Sequence, residues 1–298
     1  MRQAGKRSKM IFVAGSQRLL GFHCSAAGGL ANAIRRGAKL GCTAIQLFTK
    51  NNNRWLGPPL TLKEIDAFRT AWAASPIRCI MSHVGYLVNL ASTDPAITEH
   101  SMESMRMELQ NAQALDIPYV VVHPGAHKGE GEAMAIRRVA ERLNILLEET
   151  VGDQLVIAVE GTAGQGSSLG HRFEHLRDIL AGVRYGDRVG VCLDTAHLFA
   201  AGYDLRSASA YRSTWEAFDR IVGRAALRTM HLNDTKRELG SRVDRHEHIG
   251  KGAIGLSGFR LLMRDLSLRA VPMVMETPKG KTDAVDRRNL TILQSLVK

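Results

Sequence analysis

Short apolar runs rich in Val, Ile and Leu alternate along the chain with longer segments of helical spacing. A short apolar run between turn residues is typical of a strand that is buried on both faces. Eight such runs occur: 19–24 (LLGFHC), 43–49 (TAIQLFT), 77–83 (IRCIMSH), 119–124 (YVVVHP), 155–160 (LVIAVE), 189–194 (VGVCLD), 227–232 (LRTMHL) and 271–276 (VPMVME). Amphipathic segments between them predict helices, among them 99–115, 132–149 and 209–222. The pattern therefore predicts an α/β fold.

Eight strands that alternate with helices are the number that closes a single (β/α)8 TIM barrel. An open doubly wound sheet is the alternative, but it normally has a GxGxxG turn after its first strand. The segment SAAGGLANAI (25–34) lacks that motif. Because no repeat or Pro/Gly linker divides the chain, we predict one barrel domain over 19–298. Long loops at 198–208 and 235–255 are expected to border its active site.

The charge is concentrated at the start of the chain. Of the formal net charge of +11, all comes from residues 1–63, which carry eleven Lys and Arg and no acid before Glu64. Clustered basic residues favour a polyanionic partner such as a phosphate backbone. The alternative is a basic segment that only aids solubility. We expect residues 1–18 to form a basic, disordered extension.

The four cysteines are widely spaced and form no CxxC pair, which predicts reduced thiols and a cytoplasmic protein rather than a disulfide framework. The first residues make a poor secretory signal, while an organellar presequence stays open as an alternative. No run approaches the roughly twenty apolar residues that span a bilayer, so we expect no membrane partner.

Side chains that can bind a metal end every predicted strand from the third to the eighth. In a barrel the carboxyl ends of the strands converge on one rim, where active sites lie. Three further candidates follow in LDTAH (193–197) and in SRVDRHEH (241–248), where two of them are two residues apart and would point the same way if extended. The nine candidates are His83, His123, Glu160, Asp194, His197, His231, Asp244, His246 and Glu276. Imidazoles with carboxylates suit zinc, with manganese or iron as substitutes, and nine ligands indicate a cluster of ions.

The remaining histidines are given other roles. His171 and His175 are four apart, a spacing that can bind zinc, but we interpret them as surface or packing residues without a third partner. His100 and His127 are expected in solvent. His248 resembles a ligand only through its proximity to His246, and His23 is expected to support the cluster from outside it. The list of ligands therefore stays at nine.

The sequence resembles the endonuclease IV family of apurinic/apyrimidinic (AP) endonucleases over about residues 20 to 277. The matching motifs are HCSAAGGLANAI (23–34), LFTKN (47–51), SHVGYLVNL (82–90), VVHPGAH (121–127), VEGTAGQGSSLG (159–170), VGVCLDTAHLFAAGYDLR (189–206), MHLNDTK (230–236) and GSRVDRHEHIGKGAIG (240–255). The resemblance implies an α/β barrel with three zinc ions. It also implies a DNA repair hydrolase that cuts the phosphodiester bond 5′ to an abasic site, leaves a 3′-hydroxyl and trims blocked 3′ ends.

The same resemblance implies how the ligands divide. His83, His123 and Glu160 would hold the first zinc, Glu160 with Asp194, His231 and Glu276 the second, and His197, Asp244 and His246 the third. It implies catalytic roles for Glu160, Glu276 and His123. Water activated by the metals would attack phosphorus in line, and the partner would be double-stranded DNA bound by a monomer.

The residues implied to contact DNA are Asn51, Asn53, Arg54, Tyr86 and Leu87. Here the chain departs from the family. Asn53 stands where members commonly have an Arg, with Arg54 displaced by one residue. Gly161 replaces a usual Asn, and Val84 with Gly85 replace more polar residues of some members. The departures leave open weaker discrimination of the lesion or a preference for 3′-end trimming.

Two other functions fit parts of the sequence pattern. A metal-dependent sugar isomerase or epimerase has the same type of barrel, but it needs fewer ligands, richer in carboxylates. A protein that binds damaged DNA and cuts weakly is favoured only by the changed 51–55 loop. The complete ligand set argues against both.

Overall fold

The computed structural model describes residues 18–150 and 155–297. The described residues form these strands: β1 (Leu20–His23), β2 (Ala44–Leu47), β3 (Cys79–His83), β4 (Tyr119–Val122), β5 (Val156–Gly161), β6 (Val189–Asp194), β7 (Leu227–His231), β8 (Asp234–Thr235), β9 (His246–Glu247) and β10 (Met273–Met275). Eight of them are parallel and close into a barrel in the order β1-β10-β7-β6-β5-β4-β3-β2. The predicted TIM barrel is confirmed.

Helices follow the barrel strands and pack around them. Their bounds are α1 (Leu30–Leu40), α2 (Leu62–Ala73), α3 (Pro95–Ala114), α4 (Glu132–Glu149), α5 (Phe173–Gly182), α6 (Thr195–Ala200), α7 (Ala208–Ile221), α8 (Gly255–Arg264) and α9 (Ala284–Ser295). Local sequence signals set several of the starts. Thr61 and Glu64 form a capping box at α2, and Asp94 caps α3 just before Pro95.

The inside and the outside of the barrel have separate cores. Successive strand residues point to opposite faces, so Ile45 packs outward under the helices while Ala44 points into the barrel. Small and medium side chains such as Ala158 and Val274 fill the interior with it. Gln46, two residues after Ala44, points to the same interior side and lies nearer the carboxyl ends of the strands. This apolar layer is the floor of the site above it.

Two loops at the carboxyl rim differ from the prediction. Helix α6 begins directly after β6 and includes His197, so residues 198–200 of the predicted loop 198–208 are helical. The segment after β7 forms an antiparallel hairpin in which Asp234 pairs with Glu247 and Thr235 with His246. The buried Asp234 carboxylate accepts hydrogen bonds from the backbone N–H groups of Gly250, Gly252, Ile254 and Gly255. The hairpin is thereby held over the barrel mouth.

The predicted basic extension, residues 1–18, lies outside the described residues except for Arg18. The guanidinium of Arg18 donates a hydrogen bond to the Asp265 carbonyl at 2.8 Å. Within the described ranges, every helix is too short or too polar to cross a membrane.

Candidate metal centre

Glu160 is the centre of the site. It is fully buried near the end of β5, and each of its carboxylate oxygens meets two imidazoles. Oε2 lies 3.0 Å from His83 Nε2 and 3.1 Å from His123 Nε2. Oε1 lies 3.1 Å from His231 Nδ1 and 3.2 Å from His197 Nδ1. One carboxylate therefore joins ligands from four other barrel strands or the segments that follow them.

A second group surrounds His231 at the end of β7. Its Nδ1 faces three carboxylates, at 3.1 Å from Glu160, 3.3 Å from Glu276 and 3.8 Å from Asp194. Potential ligand atoms of these four residues all lie within 4.8 Å of one another. Three carboxylates around one nitrogen lone pair repel each other unless a cation or protons lie between them.

The third group is completed by the rim hairpin. Asp244 reaches both His197 Nε2 at 3.1 Å and His246 Nε2 at 3.2 Å. Asp194 Oδ2 lies 3.6 Å from the same nitrogen of His246. The structure thus brings all nine predicted ligands to one rim. Asp244 contacts both His197 and His246, while the ligand atoms that all lie within 4.8 Å of one another here belong to Asp194, His197 and His246.

Hydrogen bonds on the far side of the rings fix which nitrogen is free. Backbone carbonyls can only accept, so His83 Nδ1 donates to Val84 O at 2.7 Å and His197 Nδ1 donates to Gly161 O at 2.9 Å. The Nε2 atoms of both rings then carry lone pairs directed into the site. This arrangement is typical of histidines that ligate metals.

The charges of the cluster depend strongly on one another. Burial would raise the pKa of Glu160, but His231 and His123 hold it well below its ordinary value. Burial opposes a charge on His246 as well, yet Asp194 and Asp244 raise its pKa to about 9. The pKa of His231 is likewise raised well above normal. Without metal, protons on the imidazoles balance the carboxylates, and binding of divalent cations releases them.

Two residues that the sequence reading missed hold the ligands in place. Gln46 Nε2 donates to Glu276 Oε1 at 2.6 Å, while its Oε1 accepts from His231 Nε2 at 2.8 Å. Asn233 Nδ2 donates to Asp194 Oδ2 at 2.6 Å. A polar residue within the apolar run AIQL, and an Asn directly after a strand, were the available signals.

The site opens to solvent on one side. Most ligands are buried, whereas the side chains of His123 and Asp244 are 35% and 42% exposed. Tyr86 and Leu87 stand beside this opening and are 64% and 41% exposed.

The 51–54 turn lies against the loop that carries Tyr86. A Cβ on Gly85 would lie 2.8 Å from the Asn52 carbonyl oxygen, so glycine permits this close approach. Asn51 Oδ1 accepts from the Asn53 backbone N–H, which makes Asn51 part of the turn, whereas the side chains of Asn53 and Arg54 are exposed. The turn that carries Asn51, Asn53 and Arg54 therefore packs against the loop that carries Tyr86 and Leu87.

A buried ion pair anchors that turn. Lys50 Nζ lies 3.0 Å from Glu108 of α3, and both side chains are at most 4% exposed. The Thr49 hydroxyl donates a short hydrogen bond to the same carboxylate. Trp55 stacks on His100 at 5.4 Å between ring centroids, which fixes the other end of the turn.

The interpretation of His171 and His175 needs correction. Both are buried, which agrees with packing and not with a surface position. The expectation that they lack a third partner is wrong, since Glu132 lies 3.3 Å from His175 Nε2. His23 lies 3.1 Å from Glu276, where it was expected to support the cluster. The His248 Nδ1 atom contacts Asn289 instead of the cluster.

Comparison with known proteins places this geometry in a class. Residues 34–295 match the family model described as xylose isomerase-like TIM barrel. A barrel of that class whose rim carries five histidines and four carboxylates is a metalloenzyme scaffold.

The relatives are more specific. The chain is 46% identical to a probable endonuclease 4 of Geotalea daltonii, over 94% of this chain and 98% of that protein. It matches the crystal structure of endonuclease IV from Thermus thermophilus with a TM-score of 0.84 and 36% identity, over 94% of this chain and 99% of that one. The chain belongs to the endonuclease IV family, and the predictions of family and enzyme class are confirmed.

Sugar-epimerase barrels share only the fold. A D-tagatose 3-epimerase-like protein matches with a TM-score of 0.70, covering 93% of this chain and 98% of that chain, at 19% identity. That likeness shows a common barrel and carries no argument about substrate.

Proposed function

We propose that this protein hydrolyses the phosphodiester bond 5′ to abasic sites in double-stranded DNA, leaves a 3′-hydroxyl, and also trims blocked 3′ ends. Membership of the endonuclease IV family supports the class of reaction. The observation that carries the proposal is the convergence of nine imidazole and carboxylate ligands at the barrel rim.

The ligand set fits divalent metal ions. The buried His246 Nε2 lies 3.2 Å from Asp244 but makes no hydrogen bond of normal angle. His231 Nε2 is a donor to Gln46, so the neutral ring, once a cation displaces the second proton, presents its Nδ1 lone pair to Glu160 and Glu276. A divalent cation would bind to these imidazole nitrogens and to the carboxylates that face them.

Three zinc ions account for the ligands, as the resemblance implies. The first would be held by His83, His123 and Glu160, and the second by Glu160, Asp194, His231 and Glu276. The third would be held by His197, Asp244 and His246. When bound, the ions supply an activated water and positive charge for the phosphate and for the leaving oxygen.

The protein's own residues direct that chemistry. Glu160 fixes the spacing of the groups because its two oxygens contact opposite sets of imidazoles. His123 and Glu276 are partly exposed members of those groups, so they border the entry for water and phosphate. We therefore assign catalytic roles to these three residues.

The lesion is bound by the exposed surface next to the opening. Tyr86 and Leu87 would occupy the gap in the duplex, and Asn51, Asn53 and Arg54 would contact the backbone near it. An abasic sugar leaves the helix at little cost because it has no base to unpair. Recognition in this form needs one copy of the chain, and we propose that the protein acts as a monomer on DNA in the cytoplasm.

The first test is incubation of the purified protein with a duplex that contains one abasic analogue, with and without prior chelation. We expect a nick on the 5′ side that chelation abolishes and added zinc restores. A duplex with a blocked 3′ end tests trimming in the same assay. Absence of any nick by the zinc-loaded protein would contradict the proposal, and turnover of a ketose would favour the epimerase alternative.

The second test is Glu160→Ala. Loss of a ligand shared by two ions should remove roughly 4 kcal/mol of transition-state stabilisation, which is about a thousandfold in rate. Glu247→Ala is the matched control, because Glu247 is adjacent to His246 but faces Lys236 at 3.7 Å. Near-normal cleavage by Glu160→Ala would remove the proposed cluster mechanism.

A further inference from the structure

A second group of metal-binding side chains lies outside the rim cluster. It comprises Glu132 in the first turn of α4, His171 just before α5, and His175 within α5. Potential ligand atoms of the three lie within 4.8 Å of one another, and none of the three belongs to the rim groups. This group joins the loop after β4 to the loop after β5.

The geometry directs both imidazoles at one carboxylate. His175 is 1% exposed and its Nε2 lies 3.3 Å from Glu132 Oε2. His171 is 7% exposed and its Nε2 lies 3.9 Å from Glu132 Oε1. The ring centroids are 4.7 Å apart, with the edge of one facing the other. Two histidines four residues apart with a carboxylate from another element form a recurrent zinc-binding set.

The hydrogen bonds of His171 leave a ligand atom free. Its Nδ1 lies 3.0 Å from the Ser168 carbonyl oxygen, which can only accept, so Nδ1 carries the ring proton. The Nε2 lone pair then faces the Glu132 carboxylate with no proton between them. The lone pair and the carboxylate repel each other. A cation between them would instead be bound by both His171 Nε2 and Glu132.

Two N–H donors face the two ring nitrogens of His175, although a neutral imidazole can accept only one hydrogen bond. Its Nδ1 accepts from the Gly170 backbone N–H at 3.2 Å, and its Nε2 faces Arg172 Nε at 2.9 Å. A neutral imidazole has only one nitrogen lone pair, so it cannot accept both bonds. Arg172 Nη2 also donates to Glu132 Oε2. The guanidinium thus supplies positive charge where a metal ion would lie.

We propose that Glu132, His171 and His175 form a further binding site for a transition-metal dication, with Zn²⁺ as the ion that suits the ligands. Arg172 competes with the ion, and its side chain is half exposed and free to turn into solvent. With the ion on Nε2, the His175 proton moves to Nδ1 and the 3.2 Å bond from Gly170 is lost.

The consequence is a cross-link between two rim loops. Ser168 and Gly170 belong to the loop that also carries Gln165, whose side-chain oxygen accepts from the Asp244 backbone N–H at 3.2 Å. An ion bound only by the folded protein raises its thermal stability by mass action. The proposed role of the site is therefore to stabilise the fold, since none of its three ligands belongs to the rim cluster.

The test is equilibrium dialysis against buffered free Zn²⁺, followed by elemental analysis, for the wild type, Glu132→Gln and His171→Asn. We expect the wild type to bind one equivalent more than either variant, and all three to cut abasic duplex equally. Glu130→Gln is the matched control, since Glu130 pairs with Arg138 and should keep the extra ion. The readout is a difference between variants, so it does not depend on how many ions the rim holds.

Arg172→Ala separates a metal site from a hydrogen-bonded packing cluster. Removal of the competing guanidinium should let the extra ion bind at about fivefold lower free zinc, the factor that one exposed ion pair carries. Equal zinc content in the wild type, Glu132→Gln and His171→Asn would overturn the proposal. So would weaker binding of the extra ion by Arg172→Ala, because the guanidinium would then be part of the cluster.

Discussion

Gln46 is fully buried on β2 and joins two proposed metal ligands through opposite ends of its amide. The Glu276 carboxylate can only accept, so it fixes the amide nitrogen on its own side and the amide oxygen towards His231. Gln46→Met keeps much of the side-chain volume and removes these two hydrogen bonds, together with the 2.9 Å contact of Gln46 Nε2 with His23 Nδ1. His231 can then rotate, and Glu276 loses its shortest contact, of 2.6 Å.

The magnitude follows from these two bonds. A hydrogen bond to a charged group contributes about 1.5–3 kcal/mol, and loss of a partner that orients a metal ligand typically lowers metal affinity or activity by about 10–100-fold. We expect zinc affinity to fall within that range, measured by competition with a chromophoric chelator. Cleavage should fall at limiting zinc and recover partly at excess zinc.

The control is Thr43→Val, just before the same strand. The Thr43 hydroxyl donates to the Arg18 carbonyl and accepts from the Leu20 backbone N–H, both far from the ligands. This variant should lose stability, about 1–3 kcal/mol for an unpaired buried group, with zinc affinity unchanged. If Gln46→Met shows the same behaviour as Thr43→Val, Gln46 only packs and the assignment is refuted.

Three shorter predictions concern DNA and the thiols. Asn53→Arg should tighten binding to abasic duplex several-fold in a fluorescence titration; unchanged affinity would mean that Arg54 already supplies the contact. Affinity should fall steeply and log-linearly with salt if the basic first quarter contacts phosphates, whereas a flat response would assign that charge to solubility. Burial raises the pKa of Cys24, Cys42 and Cys79 to about 12, so the folded protein should hardly react with a thiol reagent at pH 8, and reaction should rise about tenfold per pH unit. Rapid labelling of the native protein would contradict that burial.

The barrel could be predicted from sequence because its strands are largely buried on both faces and are therefore mostly apolar runs. The run VGVCLD, for example, coincides with β6 (Val189–Asp194), and LVIAVE differs from β5 by one residue at each end. The ligands could be predicted for the same reason. A charged residue such as Glu160 is conspicuous at the end of a run that is otherwise apolar.

Residues that act on the ligands were harder to find because their partners are distant in sequence. Gln46 forms a hydrogen bond with His231, which is 185 residues away in sequence. Lys50 pairs with Glu108, and strand β3 lies between the two in sequence. From its sequence neighbours alone, Gln46 is a polar interruption of an apolar strand, and Lys50 is a charged residue expected in solvent. Only closure of the barrel, which makes β2 and β7 face each other across the interior, gives Gln46 its partner.

The error at His171 has the same origin and shows what local spacing omits. The spacing of four residues indicates that His171 and His175 can bind one ion together. The third side chain of the group, Glu132, lies at the start of a different helix. Neighbouring loops on a barrel rim are brought together by the pairing of β4 with β5, not by proximity in the chain. A metal site built between two such loops can therefore be recognised from sequence only after the strand order is known. The rim ligands could be recognised without the strand order, because each of six strands contributes one ligand at its carboxyl end.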